Sequence, residues 1–99
     1  MLALDTRLAK NEKIPWRLIE EEAILLDLDE GEVLRFNPVG AEIWNAIDGT
    51  RTVAEIVVHI CRTFEVSHRT ARRDAHRFLK QLLRHELVEE RLSVSTESA

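Results

Sequence analysis

The chain has 99 residues, 44% of them hydrophobic and 32% charged, with a formal net charge of −4. That length holds one domain with a modest core, and the mix is that of a globular chain rather than a disordered one. No apolar run approaches a membrane span, Met1-Leu2-Ala3-Leu4 stops at Asp5 before forming a signal-peptide core, and the single Cys61 permits no internal disulfide, as expected in a reducing cytoplasm.

Residues 1–14 mix charges without a period and are expected to form a flexible tail ahead of a single domain over 15–90. Pro15 sets off Trp16-Arg17-Leu18-Ile19, short and alternating enough for a first strand. Glu20-Glu21-Glu22 reads as a turn, and the apolar run Ala23-Ile24-Leu25-Leu26 as a second strand. Leu28-Asp29-Glu30-Gly31 supplies turn chemistry before Glu32-Val33-Leu34-Arg35-Phe36, the third strand of an antiparallel meander. Its alternation assigns Leu34 and Phe36 to the core side and Val33 and Arg35 to the other.

Asn37-Pro38 starts a helix: an Asn cap, then Pro at the first helical position, where no amide hydrogen is needed. Val39, Ile43, Ala46 and Ile47 recur at helical spacing, with Trp44 beside them. Gly49 reads as the stop of that helix, and Thr52-Val53-Ala54-Glu55 as the capping box of the next. Helix two then runs from Val53 to about Phe64 with a stripe of Val53, Ile56, Val57, Ile60 and Phe64. Val66-Ser67 opens helix three, whose apolar stripe is Ala71, Ala75, Phe78, Leu79 and Leu82. Leu87-Val88 returns the chain along the domain, and residues 91–99 read as a polar, flexible tail. The fold class is therefore α+β: a three-stranded antiparallel meander followed by three helices, the order of a winged helix-turn-helix.

The charge is uneven. Residues 1–50 hold 11 acids and 5 bases, whereas residues 51–99 hold 7 acids and 9 bases. Six of those bases and one acid, Asp74, lie between Arg69 and Arg84. An acidic protein with one basic helix is a poor general ligand for nucleic acid and a better one for an acidic peptide. Arg69, Arg73, Lys80 and Arg84 lie opposite the stripe, as the solvated face of an amphipathic helix does. Arg72 and His76 border the stripe on one flank and Arg77 on the other.

No catalytic set is visible. His68, His76 and His85 are eight and nine residues apart, His59 and Cys61 two apart, and neither spacing brings metal ligands together on a helix. Three glycines supply no phosphate-cradling loop, Cys61 has no activating neighbour, and Glu20 to Glu22 lack a partnered base. No cofactor or metal is expected.

From Trp16 to Val88 the sequence resembles the coenzyme PQQ synthesis protein D (PqqD-like) family. The residues that carry the resemblance are Phe36-Asn37, Ala41-Glu42-Ile43-Trp44, the string from Asp48 to Ile56 (Asp-Gly-Thr-Arg-Thr-Val-Ala-Glu-Ile), Phe78 to Leu83, and Leu87-Val88. The resemblance implies a non-catalytic role. Such proteins bind the leader of a ribosomally made precursor peptide and present it to a modifying enzyme, often a radical SAM protein. The leader adds as a strand to the third strand and lies between it and helix three, a case of β-augmentation. Carried onto this chain, that implies a peptide site at Glu32, Val33, Leu34, Arg35 and Phe36, with Arg72, His76 and Arg77 meeting acidic leader residues. Asp27-Leu28-Asp29-Glu30 and Trp44 depart from the proteins of the PQQ pathway itself and fit the broader group of recognition elements. The alternative is a DNA-binding winged helix using helix three, against which stand the acidic first half and the lack of a basic wing.

Overall fold

The structure, a computed structural model, describes residues 2–91. Its elements run β1 (Arg7–Lys10), β2 (Trp16–Ile19), β3 (Glu22–Asp27), β4 (Glu32–Phe36), α1 (Pro38–Ala46), α2 (Val53–Phe64), α3 (His68–Arg84) and β5 (Val88–Arg91). Strands β2, β3 and β4 form the antiparallel meander, in that spatial order, and the three helices follow it. Glu20, at φ 58°, and Glu21 close the first hairpin, and Gly31, at φ 68°, helps close the second. Ala23 and Leu25 of β3 turn inward, and Leu34 and Phe36 pair with them from β4. Val33 and Arg35 face outward, as their alternation requires.

The segment ahead of Pro15 is not a loose tail. Arg7 to Lys10 pair antiparallel with Val88 to Arg91, so the chain's beginning and the described end form a second, two-stranded ribbon. Leu8 is fully buried, and Leu2 and Ala9 are also in the core. The same segment satisfies the start of α2, because the Val53 and Ala54 amides donate to the carbonyls of Thr6 and Leu4 at 2.8 and 2.9 Å. Lys10 reaches across to the carbonyl of Ile47 at the end of α1, with its ammonium 5.1 Å from the Trp16 ring centre and 5.4 Å from that of Trp44. Burial lowers the Lys10 pKa, an effect that Asp48 opposes. Of the expected C-terminal tail, Arg91 closes β5 and residues 92–99 lie outside the described residues.

Helix α1 starts as its sequence requires, with the Asn37 side chain accepting from the Gly40 amide at 2.9 Å and Pro38 just inside. It ends at Ala46, three residues before Gly49, with Ile47 as an extended cap. Gly49 instead takes φ +88° within the turn that follows and donates its amide to Leu8 at 2.9 Å. In that turn Asp48 accepts from the Thr50 and Arg51 amides, both at 2.9 Å, and pairs with the Arg51 guanidinium at 3.3 Å. Thr52 and Glu55 form the reciprocal capping box at 3.2 and 2.8 Å. Thr52→Ala is expected to cost about 1 kcal/mol, or roughly 4–8 °C in melting temperature for a chain of this size. An unchanged thermal melt would contradict that role.

The Arg51 amide, then the Thr50 amide, hold the Asp48 pKa at about 2, below its ordinary 3.8. A folded value below the unfolded one means the carboxylate stabilises the fold above about pH 4. That contribution disappears as pH falls through about 2. The difference in melting temperature between the native chain and Asp48→Asn should therefore shrink from pH 4 towards pH 2; a gap that stays constant over that range would contradict the assignment.

The core lies between the inner face of the meander and the helices. Trp44, Leu25, Ile43, Ile47, Ile56 and Leu79 are fully buried within it. Trp44 is one link in an aromatic chain. Trp16 meets it edge-on at 5.9 Å, and Phe36 at 6.1 Å. Its indole N–H has no partner among the described residues, so Trp44 acts there by filling volume.

Candidate functional site

Two properties of β4 follow from the ladder. It is an edge of the meander, paired to β3 on one side and to no other strand among the described residues. The amide of Leu26 donates to Pro15, on the β2 side of β3, at 3.0 Å, so it points away from β4. Leu26 and Val33 are therefore a non-hydrogen-bonded pair, and the N–H and C=O of Val33 point out of the open edge. By the two-residue period the backbone groups of Arg35 do the same. Leu34 and Phe36 turn theirs inward to Leu25 and Ala23. The edge thus offers a ladder of free donors and acceptors at alternate residues, which unpaired strands elsewhere are usually built to hide.

Helix α3 meets this edge through Phe78. The Phe78 ring packs edge-to-face on Phe36, with centroids 4.8 Å apart and planes at 85°. Gly40 of α1 makes room for the pair. A Cβ there would sit 3.2 Å from Phe36 Cβ and 3.2 Å from Phe78 Cζ, tighter than ordinary packing. Phe78 fixes which flank of α3 faces the strand. Asp74 and Gln81, four residues before it and three after, share its side, and Arg77 borders them. Arg72 and His76 lie beyond Leu79, on the other flank. There they line a cleft with Leu2 and Leu4 instead of the β4 edge.

Of the residues expected at a peptide site, Glu32 to Phe36 form the open edge; Arg77 is exposed one residue before Phe78, in a surface cleft with Arg73, His76, Lys80, Gln81 and Arg84, and Arg72 and His76 line the cleft on the far flank. What the sequence reading missed is the pairing of Phe36 with Phe78 and the role of Gly40. The signal for Gly40 was present, since a glycine inside a helix costs about 1 kcal/mol and often marks a close approach. The charge along the groove flank is mixed. Asp74 accepts from Arg73 at 3.2 Å, and on the outer face of the sheet Arg35 pairs with Glu22 at 3.7 Å. Both pairs are largely exposed and contribute little to stability. Among the described residues, no three His, Cys, Asp or Glu side chains come together as a metal site, and no helix is long and apolar enough to cross a membrane.

Comparison with known proteins identifies a family and a structural relative. The family model described as coenzyme PQQ synthesis protein D (PqqD) matches residues 22–88. Among solved structures, TbiB1 in complex with the TbiA(β) leader peptide is similar, with a TM-score of 0.73 and 31% identity; the alignment covers 82% of this chain and 94% of that one. No curated protein matches at a significant level. With more than half its length covered by that family model, the chain belongs to the coenzyme PQQ synthesis protein D (PqqD) family.

Proposed function

We propose that this protein is a non-catalytic recognition element that binds the leader of a ribosomally made precursor peptide and presents it to a modifying enzyme of the radical SAM type. The leader pairs as a fourth strand on β4, where the backbone groups of Val33 and Arg35 receive it, and its side chains reach the point where Phe36 of β4 meets Phe78 of α3. Backbone pairing supplies affinity, and side-chain contacts along the strand and α3 supply selection among leaders. Arg77 stands on the rim, where it can meet an acidic leader residue. The observation that carries the reading is the open β4 edge beside Phe78, in a chain whose structural relative was solved with a leader peptide.

Because charges of both signs lie beside the edge, with Arg73 paired to Asp74 and Arg35 to Glu22, leader affinity should depend only weakly on salt. Fluorescence anisotropy with a labelled leader of its precursor peptide tests the reading. Saturable one-to-one binding that changes little between low and physiological salt is expected. Absence of binding, or binding that collapses with modest salt, would contradict it.

A further inference from the structure

The other flank of α3 carries a second feature that leader binding at β4 does not use. A cleft of about 430 Å³ lies between the N-terminal segment and the first half of α3, lined by Leu2, Leu4, Val53, Arg69, Arg72, Arg73 and His76. One wall is aliphatic, because Leu2 and Val53 sit in the core and Leu4 is half exposed beside them. The other wall presents three guanidiniums and an imidazole. No carboxylate lines it; the nearby acid on the helix, Asp74, turns to the Phe78 side and takes one of the three, Arg73, at 3.2 Å. The positive end of the α3 dipole lies at this half of the helix and adds to the same field.

We propose that this cleft is a docking site for an acidic, aliphatic-bearing segment of a partner protein, one Leu-like side chain entering against Leu2 and Leu4 while flanking carboxylates meet Arg69, Arg72 and His76. Charge complementarity selects such an occupant: a purely apolar segment would desolvate the guanidiniums without compensation, whereas carboxylates form bidentate, charge-assisted bonds with them. The buried stripe Ala71, Ala75, Leu79 and Leu82 separates this flank from Phe78. Both flanks can therefore be occupied at once, and α3 is a shared wall between two binding faces. The identity of the partner rests on the reading above: the protein that docks here is the modifying enzyme that receives the leader.

The probe is the blocked hexapeptide Ac-Glu-Leu-Glu-Glu-Leu-Glu-NH2, titrated into the full chain with amide chemical shifts recorded, alone and with the leader at saturation. Shifts at Leu4 and from Arg69 to His76 are expected, unaltered by the leader. Affinity should fall at least tenfold in Arg72→Glu and in the Gln analogue of the probe, and it should weaken with salt, whereas Arg72→Glu leaves leader affinity unchanged. No shift at these amides, equal affinity for the Gln analogue, or displacement of the probe by the leader would overturn the proposal. So would shifts at these amides that arise from raising the protein concentration without probe, because the occupant would then be a second copy. A leader that fails to bind while the probe still shifts the cleft would instead overturn the β4 reading and leave this one standing.

Discussion

Val33→Pro and Arg35→Pro should each weaken leader binding about 10- to 100-fold while leaving the protein folded. Proline removes the amide donor and fills the edge with its ring. At Val33 and Arg35 that donor points away from β3, so the β3–β4 ladder loses no bond, and proline is tolerated at such edge positions. In the complex, the leader carbonyl opposite the proline is left buried without a partner, a loss of about 1–3 kcal/mol, with each 1.4 kcal/mol worth tenfold in Kd. Leu34→Pro provides the contrast. Its amide belongs to the pair with Leu25, so that substitution should damage the hairpin itself and lower the melting temperature. Anisotropy titrations with thermal melts of all three variants decide the matter. Equal leader affinity in Val33→Pro and the native chain would mean that the edge is not the site.

Leu8→Ala should destabilise the fold by about 2–5 kcal/mol, the usual cost of emptying a buried leucine site. For a chain of this size each kcal/mol lowers the melting temperature by roughly 4–8 °C, so a loss of about 10 °C or more is expected. Leu8 is fully buried in the core: its relative exposure is 0%, and its carbonyl accepts the Gly49 amide while its neighbours pair with β5. A floppy leading segment would instead tolerate the change within a few tenths of a kcal/mol. Thermal melts distinguish the two, and an unchanged midpoint would contradict the place of β1 in the fold.

The helices were legible because their ends are written locally. Asn37-Pro38, Thr52 with Glu55, and Ser67 each place a side-chain acceptor where a helix start needs one, and all three caps form. The meander was legible for the same reason, from alternation and turn residues within some twenty positions. The β1–β5 ribbon was not. Arg7-Leu8-Ala9-Lys10 is too short and too polar at its ends to show a period, and its partner lies at the opposite end of the sequence. Long-range pairing of that kind leaves no local mark. The site divides along the same line. The strand edge could be read from Glu32 to Phe36, and the helical repeat separates Arg72 and His76 from Arg77. Which flank faces the strand depends on Phe78 meeting Phe36 across a tertiary contact that Gly40 makes possible. No spacing within α3 encodes that choice.

Residue-resolved amide hydrogen exchange, with and without the precursor leader, tests pairing at β4 most directly. The Val33 and Arg35 amides point into solvent in the free protein and should become strongly protected on binding, while the Leu34 amide, already bonded to β3, changes least among the three. Protection confined to α1 and α2, with Val33 and Arg35 exchanging as fast as in the free protein, would contradict the account.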